Sequence, residues 1–261
     1  MRILFFGDIV GKVGREAVLS HVEKLVNKYQ IDFVIANGEN ATHGKGLMEA
    51  HYNQLIDGGV DCITLGNHYL SKDQILDYID DAECLVRPLN ISKRIGGNGS
   101  VCFDVNGVKI RVTNILGTAF MHEEVASPYY SFKQLIDSLN EDSIHIVDYH
   151  AEATSEKIAF GYAFDGQVSA IVGTHTHVQT NDAKILDEGT GFITDVGMCG
   201  DANGVLGFEK HSVMNKTLFG EKSKFDLDPN AVQMVNAVVI DVDDISKKCR
   251  EIFPVKIIGD K

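Results

Sequence analysis

The opening stretch Met1–Lys12, MRILFFGDIVGK, decides how the rest of the chain is read. Ile3–Phe6 is an apolar run too short for a helix and stopped by Gly7-Asp8, so it reads as a buried strand whose end presents a carboxylate. Val18, Val22, Leu25, Val26 and Tyr29 then recur at helical spacing and form one apolar stripe. Phe33–Ala36 is the next strand, followed by a helix around Met48–Ile56. Cys62–Leu65 is a third strand, and Ile75, Leu76 and Ile79 mark the helix after it. A β-α-β-α-β-α order of this kind predicts parallel strands joined by right-handed crossovers.

The second half reads differently. Val101–Val105 and Val108–Val112 flank Asn106-Gly107, a two-residue hairpin signal. Ile144–Val147, Ala170–Val172, Phe192–Thr194 and Val235–Val242 continue as strands, with one clear helix, Phe132–Leu139, among them. This half is richer in sheet and partly antiparallel. The expected fold is α/β, a four-layer α/β/β/α sandwich in which two mixed sheets pack face to face with helices outside. No linker, repeat or composition shift divides the sequence, so residues 1–261 are expected to form a single domain.

With 44% apolar and 23% charged residues, the composition is globular and excludes collagen-like, disordered and low-complexity classes. A formal charge of −13 without a long basic run argues against long nucleic acids as partners, because that affinity depends on clustered Lys and Arg. An anionic substrate then needs a local source of positive charge, such as a metal. Cys62, Cys84, Cys102, Cys199 and Cys249 are scattered with no CxxC pair, unlike a disulfide framework or a zinc knuckle. The apolar opening is too short for a signal peptide and no apolar run reaches membrane-spanning length, so a cytoplasmic protein without a membrane partner is expected.

The polar residues able to do chemistry fall at strand ends. Asp8 follows the first strand, Glu39-Asn40 the second and Asn67-His68 the third. His150 follows Ile144–Val147, and His175 and His177 follow Ala170–Val172. Parallel strands end on one edge of a sheet, where open α/β sheets bind ligands, so these groups are expected to gather in one crevice. Two carboxylates, two amide oxygens and three imidazoles without thiolate favour manganese, iron or zinc over calcium. The set exceeds what one tetrahedral zinc needs, which makes a dinuclear centre the economical reading. Taken singly, Asp8 is as readily a helix N-cap, Glu39-Asn40 a solvated loop, Asn67 a turn residue and His150 a hydrogen-bonded core histidine. Their shared position at strand ends is what favours the metal reading. Lys12, Arg15, His43, Lys45 and Arg87 near these ends either contact phosphate or base, or are solvated charges.

Competing motifs fail on spacing. Gly7-x-x-x-Gly11-Lys12 is one residue short of a P-loop and lacks the following Ser or Thr, and Gly7, Gly11 and Gly14 do not make GxGxxG. Gly96–Gly99 reads as a turn, and no GxSxG is present. TIM-barrel amidohydrolases place HxH before the aspartate, the reverse of the order here.

The blocks Gly7-Asp8, Gly38-Glu39-Asn40, Gly66-Asn67-His68, His150 and Gly173-Thr174-His175-Thr176-His177 resemble the calcineurin-like metallophosphoesterase superfamily. Two departures, Val10 in place of the D-x-H histidine and Glu39-Asn40 in place of the G-D aspartate, resemble its YmdB-type bacterial subfamily of cyclic-nucleotide phosphodiesterases. Gly7–Gly11, Gly38–Ala41, Gly66–His68 and Gly173–Thr180 match that subfamily's blocks, while Tyr69-Leu70 replaces its Thr-Trp at the substrate rim.

The resemblance implies one ion held by Asp8, Glu39, Asn40 and His177 and a second held by Glu39, Asn67, His150 and His175, with Glu39 bridging. Asn40 would stand in for the missing histidine, and His68 would be the catalytic acid. The implied cofactors are two divalent ions, iron or manganese, with zinc as the other option. Two such ions ~3.5–4 Å apart can share a hydroxide that attacks phosphorus. Two dipositive ions, two carboxylates and one hydroxide leave one net positive charge, which a monoanionic diester neutralises and a dianionic monoester exceeds. The expected substrate is a cyclic nucleotide, 2′,3′ or 3′,5′. The alternatives are a nuclease or phosphomonoesterase using the same centre, and a nucleotide-sensing regulatory protein with weak turnover. A homo-oligomer is compatible with the sequence.

Overall fold

The computed structural model describes residues 1–91, 95–140 and 142–259. The chain opens with β1 (Arg2–Phe6), β2 (Asp8–Ile9), α1 (Gly11–Tyr29), β3 (Phe33–Asn37), α2 (Glu49–Asp57), β4 (Cys62–Thr64), α3 (Ile75–Tyr78) and β5 (Leu85–Val86). The hairpin β6 (Ser100–Val105) and β7 (Val108–Leu116) leads to α4 (Pro128–Ser138), β8 (Ile144–His150), α5 (Thr154–Ala163) and β9 (Ala170–Thr174). Then follow β10 (Lys184–Ile185), β11 (Gly191–Ile193), β12 (Met198–Asp201), α6 (Lys210–Thr217), β13 (Gln233–Val242) and β14 (Cys249–Ile258).

Two mixed sheets result. The first runs β2-β12-β13-β1-β3-β4-β5, with β14 paired to β13; the second runs β10-β11-β9-β8-β7-β6. β1, β3, β4 and β5 are parallel, as are β7, β8, β9 and β11, while β13, β14, β6 and β10 pair antiparallel with their neighbours. The β6–β7 turn has Asn106 and Gly107 both at positive φ (54° and 84°), the type I′ geometry that Asn-Gly tolerates.

Three buried apolar clusters define the layering. Leu4, Phe6, Val34 and Ala36 face Val18, Val22 and Leu25 of α1 and Leu55 of α2. Ile3, Phe5 and Ile35 point the other way, onto Val112, Ile146 and Val172 of the second sheet. That sheet's outer face, with Val147, Tyr149 and Ile171, packs on Phe132 of α4 and Phe160 of α5. Alternation along each strand thus feeds two interfaces at once, which is why central strands such as β1 and β3 are apolar at nearly every position. The order helix, sheet, sheet, helix is the expected four-layer sandwich. No helix among the described residues is long and apolar enough to cross a membrane.

Candidate active site

The parallel strands of both sheets end on the same edge, and every candidate residue lies there. Asp8 opens β2, immediately after β1; it is not a helix cap, since α1 begins after Val10 with no side-chain cap. Glu39 and Asn40 follow β3, Asn67 and His68 follow β4, His150 is the last residue of β8, and His175 and His177 follow β9. Asp8, Glu39, Asn40, His150 and His177 are buried, whereas Asn67, His68 and His175 are half-buried and reach the surface side. Glu39, Asn40, His68, His175 and His177 line one cavity of about 770 Å³.

Proton positions follow from the acceptors around each ring. The Thr174 hydroxyl donates to Asp148 Oδ1 (2.6 Å), so its oxygen accepts from His150 Nδ1 (2.8 Å). His150 Nε2 then faces Asn67 Oδ1 at 3.0 Å, His175 Nδ1 at 3.1 Å and Glu39 Oε1 at 3.2 Å. His175 Nε2 lies 3.2 Å from Glu152 Oε2, which accepts its proton and leaves Nδ1 with a lone pair. His177 Nδ1 donates to the Leu206 carbonyl (2.9 Å), so its Nε2 lone pair is directed to the side of Asp8 Oδ1, 3.8 Å away. Four nitrogen and oxygen atoms therefore converge about His150, and Glu39, His150 and His175 form a metal-sized cluster among the described residues.

The electrostatics record the crowding. Burial would raise the Glu39 carboxyl, but His150 and His68 hold it down at about 2. Burial would lower His150, yet Glu39, Asp8 and Asp148 raise it to about 9, so a proton there offsets the facing acceptors. Burial raises Asp8 to about 6 against the pull of His177 and His150. Burial and the charge of His150 bring His175 down to about 3, and burial lowers His68 as well.

The donor set fits divalent cations on independent grounds. Asp8 Oδ1 and Asn40 Oδ1 are buried with no hydrogen-bond partner, although their companion atoms are engaged: Asp8 Oδ2 accepts from the His175 amide (3.0 Å) and Asn40 Nδ2 donates to the Gly44 carbonyl (3.0 Å). Buried acceptors without partners are costly unless something positive faces them. Between the two sheets, a Cβ on Gly66 would stand 2.4 Å from both Glu39 Oε2 and His150 Nε2, so only glycine leaves this space open.

Behind these residues sits a support that the sequence did not disclose. His175 and His177 both adopt left-handed backbone, φ 99° and 63°, an uncommon conformation for histidine that needs external restraint. Buried Lys157 of α5 supplies part of it, donating to the Thr174 carbonyl and to Asp195 Oδ2, both at 2.7 Å. Asp195 Oδ2 in turn accepts from the Thr176 amide (3.1 Å) and hydroxyl (2.8 Å). Asp148, held by Asn37 Nδ2 (3.0 Å), Thr64 Oγ1 (2.5 Å) and Thr174, fixes the His150 ring through the threonine. A lysine within a helix and an aspartate in the loop between β11 and β12 carry no spacing signal, so nothing short of the fold pairs Lys157 with Asp195. Of the basic residues near the strand ends, His43 and Lys45 line the cavity. Arg15 instead binds the Ala41 carbonyl and Gln54, Arg87 binds the Gly96 and Pro88 carbonyls, and Lys12 pairs with Glu16.

Residues 4–255 match the family model of YmdB-like proteins. The chain belongs to the YmdB-like family. It is 44% identical over its whole length to the 2′,3′-cyclic-nucleotide 2′-phosphodiesterase of Bacillus subtilis (strain 168), covering 98% of that protein. A crystal structure of a phosphatase from Mycoplasma pneumoniae superposes with a TM-score of 0.93 at 40% identity, covering all of this chain and 94% of the other. A Thermus thermophilus protein of solved structure superposes over the full length of both chains with a TM-score of 0.92 at 34% identity. The matched residues include all five strand-end blocks.

Proposed function

We propose that this protein is a metal-dependent phosphodiesterase that opens 2′,3′-cyclic nucleotides, with residues 1–261 acting as one domain. The observation that carries the reading is the pair of buried, unpartnered oxygens, Asp8 Oδ1 and Asn40 Oδ1, on the edge where Glu39, Asn67, His150, His175 and His177 meet. The name of the Bacillus subtilis relative supports the substrate class.

Asp8, Asn40 and His177 would hold one divalent cation, Asn67, His150 and His175 the other, and Glu39 would serve both. When bound, such ions supply positive charge to phosphoryl oxygens and bring the pKa of water toward neutrality. The chain's own groups do the rest. Asp148 through Thr174, and Glu152 and the Leu206 carbonyl directly, fix which nitrogen of each histidine offers its lone pair. His68 lines the cavity beside Asn67, and its backbone amide donates to Glu39 Oε2 (2.9 Å), which supports assigning it the role of acid. As water adds to phosphorus it gives up a proton and the bond to the 2′ oxygen breaks; that oxygen would take the electron pair and a proton from His68, leaving a nucleoside 3′-monophosphate and a His68 that regains the proton the water released. General acid catalysis of this kind is worth about 10²–10⁴ in rate.

The test is a substrate panel with manganese or iron present: adenosine 2′,3′-cyclic phosphate, adenosine 3′,5′-cyclic phosphate, and bis- and mono-p-nitrophenyl phosphate. Conversion of the 2′,3′ diester to the 3′-monophosphate, with little action on the monoester, is expected. Turnover of the monoester alone, or of none of the four, would refute the reading.

A further inference from the structure

The cavity lined by Glu39, Asn40, His68, His175 and His177 is larger than a cyclic phosphate requires, and part of its lining is of a different character. Leu206, Phe208, Val213 and Phe225 line it there. Phe225 is 40% exposed and Leu206 45%, large apolar groups open to a concave site of the kind that takes small molecules. The Phe208 and Phe225 rings pack at 5.4 Å and 51°, and Lys216 Nζ lies 4.7 Å from the Phe225 centroid, so the rings are braced against each other and from one side.

This wall is also tied to the phosphoryl end. Leu206 takes a left-handed φ of 54° and presents its carbonyl to His177 Nδ1 at 2.9 Å. Phe208 presses on the loop that carries Asn40: a Cβ on Gly44 would stand 2.5 Å from its Cε1 atom, and the Gly44 carbonyl accepts from Asn40 Nδ2. The distance from the apolar wall to the candidate metal ligands is therefore set by two short connections. A planar, apolar-faced group attached to the cyclic phosphate fits such a wall.

We propose that Leu206, Phe208 and Phe225 form the platform on which the nucleobase of the substrate lies, an inference that rests on the diesterase reading and extends it to substrate selection. The platform reads a π-face and apolar area, so it accepts purines and pyrimidines alike and rejects substrates that lack a base.

The test compares adenosine 2′,3′-cyclic phosphate with methyl ribofuranoside 2,3-cyclic phosphate, the same diester without a base. The wild type is expected to favour the nucleotide by about tenfold or more in kcat/KM. Phe225→Ala is expected to raise KM for the nucleotide about tenfold, with kcat nearly kept and the base-free diester nearly unaffected. Phe225→Trp, which restores an aromatic face, is expected to recover the preference. Equal use of the two diesters by the wild type, or equal loss on both in Phe225→Ala with no recovery in Phe225→Trp, would overturn the platform while leaving the diesterase reading intact. If the wild type hydrolyses neither diester, the diesterase reading fails, and calorimetric binding of adenosine 3′-monophosphate against methyl ribofuranoside 3-phosphate decides the platform alone. Base-dependent binding lost in Phe225→Ala supports it; equal binding, or none, overturns it.

Discussion

Two buried polar clusters lie side by side at the sheet edge, and they differ in one respect. Around Asp148, Lys157 and Asp195 every charged side chain has donors and acceptors matched: Lys157 meets a carbonyl and a carboxylate, and both carboxylates are surrounded by N–H and O–H groups. A few ångströms on, around Asp8, Glu39, Asn40, Asn67, His150, His175 and His177, acceptors face acceptors, two oxygens have no partner, and a proton on His150 offsets the rest. The first cluster is complete within the protein. The second is complete only with added positive charge. Asn114 and Asn236 also bury an Oδ1 without a partner, so what marks the second cluster is unmet acceptors gathered together with carboxylates and imidazoles.

The largest effect is expected at the unmet cluster's centre. Glu39→Gln removes the one carboxylate proposed to serve both ions, and Lewis-acid stabilisation is worth several kcal/mol per ion. At ~1.4 kcal/mol per decade, activity falls about 10⁴-fold or more, and elemental analysis finds both ions lost together. Loss of a single ion would break the bridging assignment. His68→Ala is next: kcat falls about 10³-fold with metal content unchanged. Unchanged turnover, or lost metal, would remove His68 from the acid role.

The matched cluster responds differently, through stability and affinity. Lys157→Met leaves Asp195 buried without its cation, which costs about 3–5 kcal/mol in denaturant unfolding. It also frees the strained His175–His177 backbone, so metal affinity by calorimetry drops roughly 10–100-fold, as for other supports of ligand residues. A variant of native stability and affinity would show that the contrast between the clusters has no energetic content.

The smallest effect tests burial with no functional partner. His145, buried beside the Thr113 hydroxyl (2.8 Å) and Phe132, is pushed down to about 3 by burial and by Arg111. Its folded value lies below the ordinary 6.5, so the unfolded chain binds the extra proton between about pH 6.5 and 3, and stability is lost as pH falls through that window. Relative to His145→Gln, the wild type is expected to lose about 2 kcal/mol between pH 7 and pH 5. Parallel pH profiles would contradict a neutral buried imidazole.

How much of this was legible beforehand follows the periodicity. β1, β3, β4, β7, β8, β9 and β13 are apolar runs bounded by turn residues, and α1 has a clear stripe; these were readable, as was the layered order they imply. α5 was not, because buried Lys157 interrupts its apolar face and Gly161, seated on the Phe192 ring, looks like a breaker. α6 buries only Ser212 and Val213, too little for a pattern. β14 hides behind Pro254, tolerated because β14 is an edge strand hydrogen-bonded to β13 on one side. Strand ends, in contrast, are where chain position alone gathers side chains, so Asp8, Glu39, Asn40, Asn67, His68, His150, His175 and His177 could be collected from sequence. Their supports, Glu152, Lys157 and Asp195, come from helices and loops whose packing only the fold reveals.

The central claim is that the unmet cluster is completed by a pair of cations, and counting metal in freshly, anaerobically purified protein tests it most directly. Two equivalents of iron or manganese per chain, or restoration to two on adding either, is expected. At most one equivalent, with no gain in content or activity on adding manganese or iron, would contradict it.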